Sequence, residues 1–177
     1  MEYVVDYLAY LILFLDITIL AYVGTKIVQK FFTTPIDSYV EKFEEVIDSR
    51  YREIGLLTAL VATFGSLFLS NVLGWTPCKL CWFQRIFMYP LVLILGVSLF
   101  FDDRNVSDYL IPMTVLGGGI AVYHYFVQII STIQTTCSSS GPSCSTKFTF
   151  YFDYITIPIM ALTAFVIIFI LAYRNWR

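Results

Sequence analysis

The chain has 177 residues, of which 58% are hydrophobic and only 14% are charged, a composition typical of integral membrane proteins rather than soluble domains. Its net charge is −2, and it has no glycine-rich phosphate loop and no tandem repeat, which excludes a nucleic-acid or nucleotide-phosphate protein. Four cysteines are too few for a disulfide-dense secreted scaffold, so each cysteine requires its own explanation.

The first predicted element is an apolar helix over residues 3–26, long enough to cross a membrane, because about 20 residues at about 1.5 Å each span its ~30 Å core. It begins without cationic residues and carries Asp6, so we expect it to be retained rather than cleaved as a signal peptide. Asp16 lies near its middle, where burying a carboxyl costs about 3 kcal/mol. An intramembrane acid is a candidate functional group, but we favour a protonated Asp16 hydrogen-bonded within the bundle.

Residues 33–52 form the second predicted element, a polar segment in which apolar side chains recur at helical spacing. These apolar residues are Ile36, Tyr39, Val40, Phe43, Ile47 and Tyr51. The pattern predicts an amphipathic helix at the membrane interface. Covering the inner end of the bundle is the commoner role of such a helix, and docking of a partner is the alternative.

Four further apolar spans follow, at residues 54–74, 82–101, 109–130 and 153–173. Trp75 marks the end of the first of these at the headgroup level. The predicted fold class is an all-α integral membrane protein in which a four-helix transmembrane bundle follows one additional N-terminal transmembrane helix. Three consecutive glycines, Gly117 to Gly119, favour close packing of a neighbouring helix over the approach of a flat ligand.

The rest of the chain is organised around Thr76 to Pro90, with the sequence Thr-Pro-Cys-Lys-Leu-Cys-Trp-Phe-Gln-Arg-Ile-Phe-Met-Tyr-Pro. Thr76 is predicted to be an N-cap and the following proline the first helical residue, which places Cys78 in the first turn. The free N–H groups and the helix dipole there favour a thiolate, so we expect Cys78 to be acidic and reactive. Cys81 and Arg85 follow on the same face, where the guanidinium can hold an anion. The alternative for Arg85 is a snorkelling interface residue.

A second cysteine pair, Cys137 and Cys144, lies in a polar loop over residues 131–152. Four cysteines permit three pairings. The close spacings favour Cys78 with Cys81 and Cys137 with Cys144.

The single histidine, His124, lies within about two helical turns of the end of its span, near the level of the cysteines. Gln128 follows one turn later on the same face, so the two side chains can bind a carbonyl or relay a proton. A lone histidine is usually a satisfied core residue, but within a membrane helix a functional role is favoured.

The distribution of Lys and Arg predicts the orientation in the membrane. The side with the cysteines holds three Lys and Arg residues. The opposite side holds eight, namely Lys26, Lys30, Lys42, Arg50, Arg52, Arg104, Arg174 and Arg177. By the positive-inside rule, both cysteine pairs and the N-terminus face outward, and the C-terminus faces the cytoplasm. The outer face of the plasma membrane is oxidising, so thiol pairs there indicate redox centres more readily than zinc ligands, and no metal site is expected.

These motifs resemble the disulfide bond formation protein B (DsbB) family of membrane thiol:quinone oxidoreductases. The resemblance rests, in order, on Cys78-Lys-Leu-Cys81-Trp-Phe-Gln-Arg85 with Met88-Tyr89-Pro90, on Tyr123-His124-Tyr125 with Gln128, on the Cys137/Cys144 loop and on Ile157-Pro158. It implies an enzyme that reoxidises a soluble, thioredoxin-fold DsbA-like oxidant and passes electrons to a membrane quinone of the ubiquinone or menaquinone type.

The resemblance also implies a role for each site residue. The partner's thiolate attacks Cys137, the released Cys144 attacks Cys78, and Cys81 passes electrons to the quinone. The candidate quinone-binding residues are Arg85, His124 and Gln128.

Two features depart from the better-known members of that family. Only six residues separate Cys137 from Cys144, as in its short-loop, Bdb-type branch, and residues 1–53 have no counterpart in the four-helix pattern. We therefore divide the chain into an extra transmembrane helix (1–32), an amphipathic cytoplasmic-side segment (33–53), the bundle (54–173) and a cytoplasmic tail (174–177).

Three other interpretations rank below this one. A vitamin K epoxide reductase-like enzyme shares the four-helix C-x-x-C plan but has reduction of a quinone-type substrate as its purpose. A metal-binding or metal-transfer protein would use the cysteines as ligands. A structural, tetraspanin-like protein would need them for folding alone.

Overall fold

The computed structural model describes residues 2–31, 37–103, 105–130, 144, 151–152 and 154–176, and these residues are almost entirely helical. The helices are α1 (Glu2–Phe31), α2 (Asp37–Ser49), α3 (Tyr51–Leu67), α4 (Lys79–Phe100), α5 (Ser107–Ile129) and α6 (Ile157–Arg174). A π-helical turn, Phe68–Val72, continues α3. Within the described ranges the chain forms no strand, only an isolated bridge between Tyr151 and Ile155.

Five of the described helices, all except α2, are long and apolar enough to cross a membrane. The 22 residues of α4, for example, rise about 33 Å at about 1.5 Å each, slightly more than the ~30 Å hydrocarbon core. The predicted all-α membrane architecture with five crossings is therefore confirmed. The predicted amphipathic helix is present as α2, where Ile47 packs against the bundle core while Glu41 and Glu45 are exposed.

The bundle consists of α3, α4, α5 and α6. Helix α5 packs most extensively on α6, α4 lies against α3 and α5, and α3 closes the arrangement against α6. Its core includes five large side chains that are at most 1% exposed, namely Leu91, Leu95, Leu110, Phe165 and Ile168.

Glycine permits the closest approach within this bundle. A Cβ atom on Gly117 would lie 2.4 Å from Cζ of Phe165, whereas one on Gly119 would meet nothing within 4 Å. The packing role predicted for the glycines is thus confirmed at Gly117, because a small residue there lets α5 approach the Phe165 ring of α6.

Asp16, near the middle of α1, joins this helix to α6. Its carboxylate oxygens accept hydrogen bonds from Thr163 Oγ1 at 2.7 Å and from the Tyr154 hydroxyl at 3.3 Å. The prediction that Asp16 is hydrogen-bonded within the bundle is confirmed.

A charged cluster fastens α1, α2 and α6 together at the opposite end of the bundle from Cys78. Arg174 contacts Asp48 at 2.6 Å and Glu44 at 3.1 Å, and Lys26 contacts Glu44 at 2.6 Å. The Tyr22 hydroxyl also accepts a hydrogen bond from Arg174. Helix α1 is therefore attached to the bundle at two levels.

Candidate active site

The first cysteine pair lies where α4 begins. Cys78 is the N-cap of this helix, with extended backbone angles (φ −73°, ψ 174°), and its sulfur accepts a hydrogen bond from the Cys81 N–H at 3.4 Å. Both thiols are free, and their sulfur atoms lie 3.2 Å apart. The predicted N-cap at Thr76 and helical position for Pro77 were wrong by two residues, because the sulfur of Cys78 caps the helix in place of the Thr76 hydroxyl.

The expected acidic thiol at Cys78 is also wrong. A hydrogen bond to the Cys81 sulfur, reinforced by burial, raises the pKa of Cys78 to about 12, although His124 acts in the opposite direction. Cys78 is only 5% exposed, and burial disfavours the charged thiolate. In the reduced pair the proton therefore stays on Cys78.

His124 lies between Cys78 and Cys144. Its Nε2 atom is 3.6 Å from the Cys78 sulfur and 3.2 Å from the Cys144 carbonyl oxygen, and the side chain is 1% exposed. Its Nδ1 atom is 3.1 Å from Nε2 of Gln84. When the Gln84 amide donates to Nδ1, the proton of the neutral ring lies on Nε2, where it can be donated to the Cys144 carbonyl.

Gln84 is a site residue that the sequence analysis missed. It is 5% exposed within a membrane helix. A buried amide needs a hydrogen-bond partner. The signal was a polar residue between Cys81 and Arg85 on a membrane-spanning helix.

The second cysteine pair is described in part. Cys144 is 2% exposed and packs with Cys78 and Val127, while Cys137 lies outside the described residues. The structure therefore brings one cysteine of the polar loop against the first pair.

An apolar cleft of about 440 Å³ opens on the other side of the first pair, between α1, α3, α4 and α6. Cys81, Gln84, Arg85 and Tyr89 contribute the polar groups of its lining on α4. Cys78, His124 and Gln128 do not line it. The first cysteine pair thus lies between two different surroundings, with Cys78 toward Cys144 and Cys81 toward the cleft.

Arg85 is held in place by α3. Its Nε donates to the Ser66 hydroxyl and its Nη2 to the Ser66 carbonyl, both at 2.9 Å, and the guanidinium lies 5.2 Å from the centre of the Trp82 ring. Ser66, which the sequence did not single out, is the residue that fixes the charge beside the cleft.

Gln128 is 8% exposed and lies one turn beyond His124 on α5. The predicted quinone-binding set is therefore divided in space, with Arg85 at the cleft and the two α5 residues outside its lining.

Three side chains of this site are close enough to hold a metal ion. The ligand atoms of Cys78, Cys81 and His124 all lie within 4.8 Å of one another. Three sulfur and nitrogen donors are one fewer than the four that close a structural zinc site.

A dithiol at the start of a membrane-spanning helix, with a further buried cysteine on one side and an apolar cleft on the other, is the arrangement of a membrane thiol–disulfide oxidoreductase. The family model described as "Disulfide bond formation protein DsbB" matches residues 50–174. The chain belongs to the DsbB family.

Its relatives agree with this assignment. It is 44% identical over 116 residues to "Disulfide bond formation protein C" of Bacillus subtilis, covering 64% of this chain and 83% of the relative. It is 36% identical over 127 residues to "Probable disulfide formation protein C" of Bacillus cereus, covering 69% and 91%. To "Probable disulfide formation protein" of Oceanobacillus iheyensis it is 46% identical over 116 residues, covering 64% and 79%. No solved structure matches the chain. The protein is a disulfide-generating oxidoreductase of the membrane.

Proposed function

We propose that this protein is a thiol:quinone oxidoreductase that reoxidises a soluble, thioredoxin-fold DsbA-like oxidant outside the cytoplasm. The observation that carries the proposal is the position of the first cysteine pair, with Cys78 packed against Cys144 and Cys81 lining an apolar cleft in the membrane. A dithiol so placed connects a thiol donor in water to an electron acceptor in lipid.

Each thiol step breaks one disulfide bond and forms another, so the number of disulfide bonds and of electrons is unchanged. The partner's thiolate attacks the Cys137–Cys144 disulfide at Cys137, forming a mixed disulfide and releasing Cys144 as a thiolate. The partner's second thiol then attacks the mixed disulfide, so that the partner leaves oxidised and Cys137 is reduced. The Cys144 thiolate attacks Cys78 of the Cys78–Cys81 disulfide, Cys81 leaves as a thiolate, and Cys137 resolves the Cys78–Cys144 bond.

His124 supports the exchange between the pairs. Since its Nε2 is within hydrogen-bonding distance of the Cys144 carbonyl and faces the Cys78 sulfur, it holds Cys144 beside the sulfur that it attacks. We therefore assign His124 to this exchange. We assign Gln128, one turn away, a structural role in the same part of α5.

The cleft fits a quinone. Its volume of about 440 Å³ is within the usual range of small-molecule sites, and its lining is mostly apolar, with Gln84 and Arg85 near Cys81. A bound quinone of the ubiquinone or menaquinone type would accept two electrons and two protons. Arg85, held by Ser66, supplies a fixed positive charge that stabilises the Cys81 thiolate and holds the polar end of the acceptor.

The orientation and the division of the chain follow from the charge distribution and the family match. Eight Lys and Arg residues on the side opposite the cysteines against three on the cysteine side support cysteine loops and an N-terminus outside the plasma membrane, with the C-terminus in the cytoplasm. The family match over residues 50–174 supports a bundle unit over residues 54–173, preceded by the units 1–32 and 33–53 and followed by the tail 174–177.

The order of exchange is tested with the full chain in lipid nanodiscs and a thioredoxin-fold protein of C-x-x-C type, added either oxidised or reduced. In Cys144→Ser, Cys137 is a free thiol, which should attack the disulfide of the oxidised partner, release the partner's second thiolate and form an adduct on Cys137. Cys137→Ser should form no such adduct. Cys81→Ser lacks the Cys78–Cys81 disulfide, so its loop should oxidise the reduced partner once and then not be regenerated. An adduct mainly on Cys78 would show that electrons bypass the loop.

The same preparation separates the other interpretations. Stoichiometric zinc in the isolated protein, lost together in Cys78→Ser and His124→Ala, would favour the metal-binding alternative. Cysteine variants that fold poorly but keep full quinone reduction would favour the structural one. Reduction of a quinone-type substrate by an added reductant, without oxidation of the partner, would favour the vitamin K epoxide reductase-like interpretation.

A further inference from the structure

Helix α1 forms one wall of the acceptor cleft. Four of its aliphatic residues line the cleft opposite the bundle, namely Leu8, Leu11, Ile12 and Leu15. This helix lies outside residues 50–174, the part that matches the family model. The bundle alone would therefore leave the cleft open to lipid along this side.

The cleft is elongated along α3. Its lining residues on this part of the chain run from Ile54 to Leu69, a distance of about 22 Å at about 1.5 Å per residue. The charged and amide groups of its lining, Arg85 and Gln84, lie on α4 near Cys81, and most of the remainder is apolar. That shape accommodates a molecule with a polar ring at one end and a long apolar chain.

The wall is fixed to the bundle by Asp16. This residue is one position beyond Leu15 and accepts hydrogen bonds from Thr163 at 2.7 Å and Tyr154 at 3.3 Å. A carboxyl group at the middle of a membrane helix opposes insertion, so its presence calls for a compensating role. Thr163 itself lines the cleft, so the hydrogen bond joins the two walls directly.

We propose that α1 completes the acceptor site, that the apolar chain of the quinone lies against Leu8 to Leu15, and that Asp16 is the positioning residue for this wall. The inference rests on the proposed thiol:quinone function. It gives the extra N-terminal helix a role in the affinity for long-chain acceptors, not in the chemistry of the thiols.

The first test needs no variant. A quinone with a photoreactive group on its chain, irradiated with the full-length protein in nanodiscs, should label the α1 peptide that contains Leu8 to Leu15, and unlabelled long-chain quinone should compete. Labelling of α1 by a photoreactive phospholipid that quinone does not displace would show that the cleft holds a lipid chain, and would overturn the proposal.

The second test compares two substitutions on α1. Leu15→Trp fills the cleft, whereas Ile17→Trp changes a residue that is 57% exposed and absent from the cleft lining. Leu15→Trp should raise the KM for a long-chain quinone roughly tenfold and weaken its photolabelling. Ile17→Trp should change none of these. Equal effects of the two variants would refute the proposal.

The third test addresses Asp16. Asp16→Leu removes the acceptor for Thr163 and Tyr154, so it should raise the KM for the long-chain quinone and reduce the stabilisation of the protein by that quinone in thermal unfolding. Asp16→Asn keeps an acceptor oxygen and should restore much of both. If Asp16→Leu also lowers the rate of thiol exchange with the partner, Asp16 has a general structural role instead.

These outcomes distinguish the inference from the function on which it rests. If the wild-type protein neither reduces nor binds any quinone, the proposed function fails. If it does both, but the α1 variants match the control, only the role of α1 fails.

Discussion

Gly117→Ala should destabilise the protein because α5 cannot accept a side chain at this position. The added Cβ would lie 2.4 Å, 2.5 Å and 3.0 Å from three atoms of the Phe165 ring, against about 3.5–4.0 Å for ordinary carbon contacts. The ring is 1% exposed and belongs to the core of the bundle. Overpacking of this kind costs about 1–3 kcal/mol.

The measurement is denaturant-induced unfolding of the full chain in mixed micelles, where each ~1.4 kcal/mol changes the unfolding equilibrium about tenfold. Gly119→Ala is the matched control, because a Cβ there meets nothing within 4 Å. We expect it to change stability by less than about 1 kcal/mol, in the stabilising direction, since alanine favours helix more than glycine does. Combining Gly117→Ala with Phe165→Leu should give less than the sum of the two single effects. Equal stabilities of the two glycine variants would refute the packing explanation.

Three further predictions follow from the site and from the charged cluster. Arg85→Gln should lower the rate of quinone reduction roughly 10²-fold and leave thiol exchange with the partner intact. Stopped-flow measurement of the two half-reactions checks this. An unchanged rate of quinone reduction would make Arg85 an interface anchor only. With a pKa of about 12, only about 10⁻⁴ of Cys78 is thiolate at pH ~8. The rate of its alkylation in the reduced protein, followed by mass spectrometry, should therefore still rise above pH ~10. A plateau below pH ~9 would contradict a proton held on Cys78. The hydrogen bond from Arg174 lowers the pKa of Asp48 from its usual 3.8, so this carboxylate stabilises the fold fully above about that pH and loses the effect as pH falls through the lowered value. Wild-type protein should accordingly lose more stability than Asp48→Asn on acidification, and parallel pH profiles would contradict the ion pair's contribution.

Much of the fold was predictable because it depends on the length of apolar runs. Five uninterrupted spans and the polar segment around α2 follow from hydropathy alone, and the motif from Cys78 to Arg85 indicated redox chemistry. The side chains that hold the site together were not predictable, because they meet across helices. Ser66 is 19 residues from Arg85, and Gln84 is 40 residues from His124. Neither pair has a local sequence signal.

The acidity expected for Cys78 failed for a related reason. Helix position alone favours a thiolate, but burial and the sulfur of Cys81 outweigh it, and both depend on tertiary structure. The face of α1 toward the cleft was equally hidden. The faces of α1 carry similar aliphatic and aromatic side chains. Asp16 is the residue that marks the side in contact with α6.

The hydrogen bonds of Asp16 can form only late in the synthesis of the chain. Its partners Tyr154 and Thr163 are 138 and 147 residues later in the chain. At translation rates of about 5–20 residues per second, they emerge roughly 7 to 30 s after α1. During that interval the Asp16 carboxyl lacks both of these hydrogen-bond partners, and burying it without them is costly. Lys26 of α1 can contact Glu44 of α2 early, whereas the Asp16 contact is completed only after α6 has been made. A nascent chain stalled before α6 should therefore leave Asp16 without these two partners.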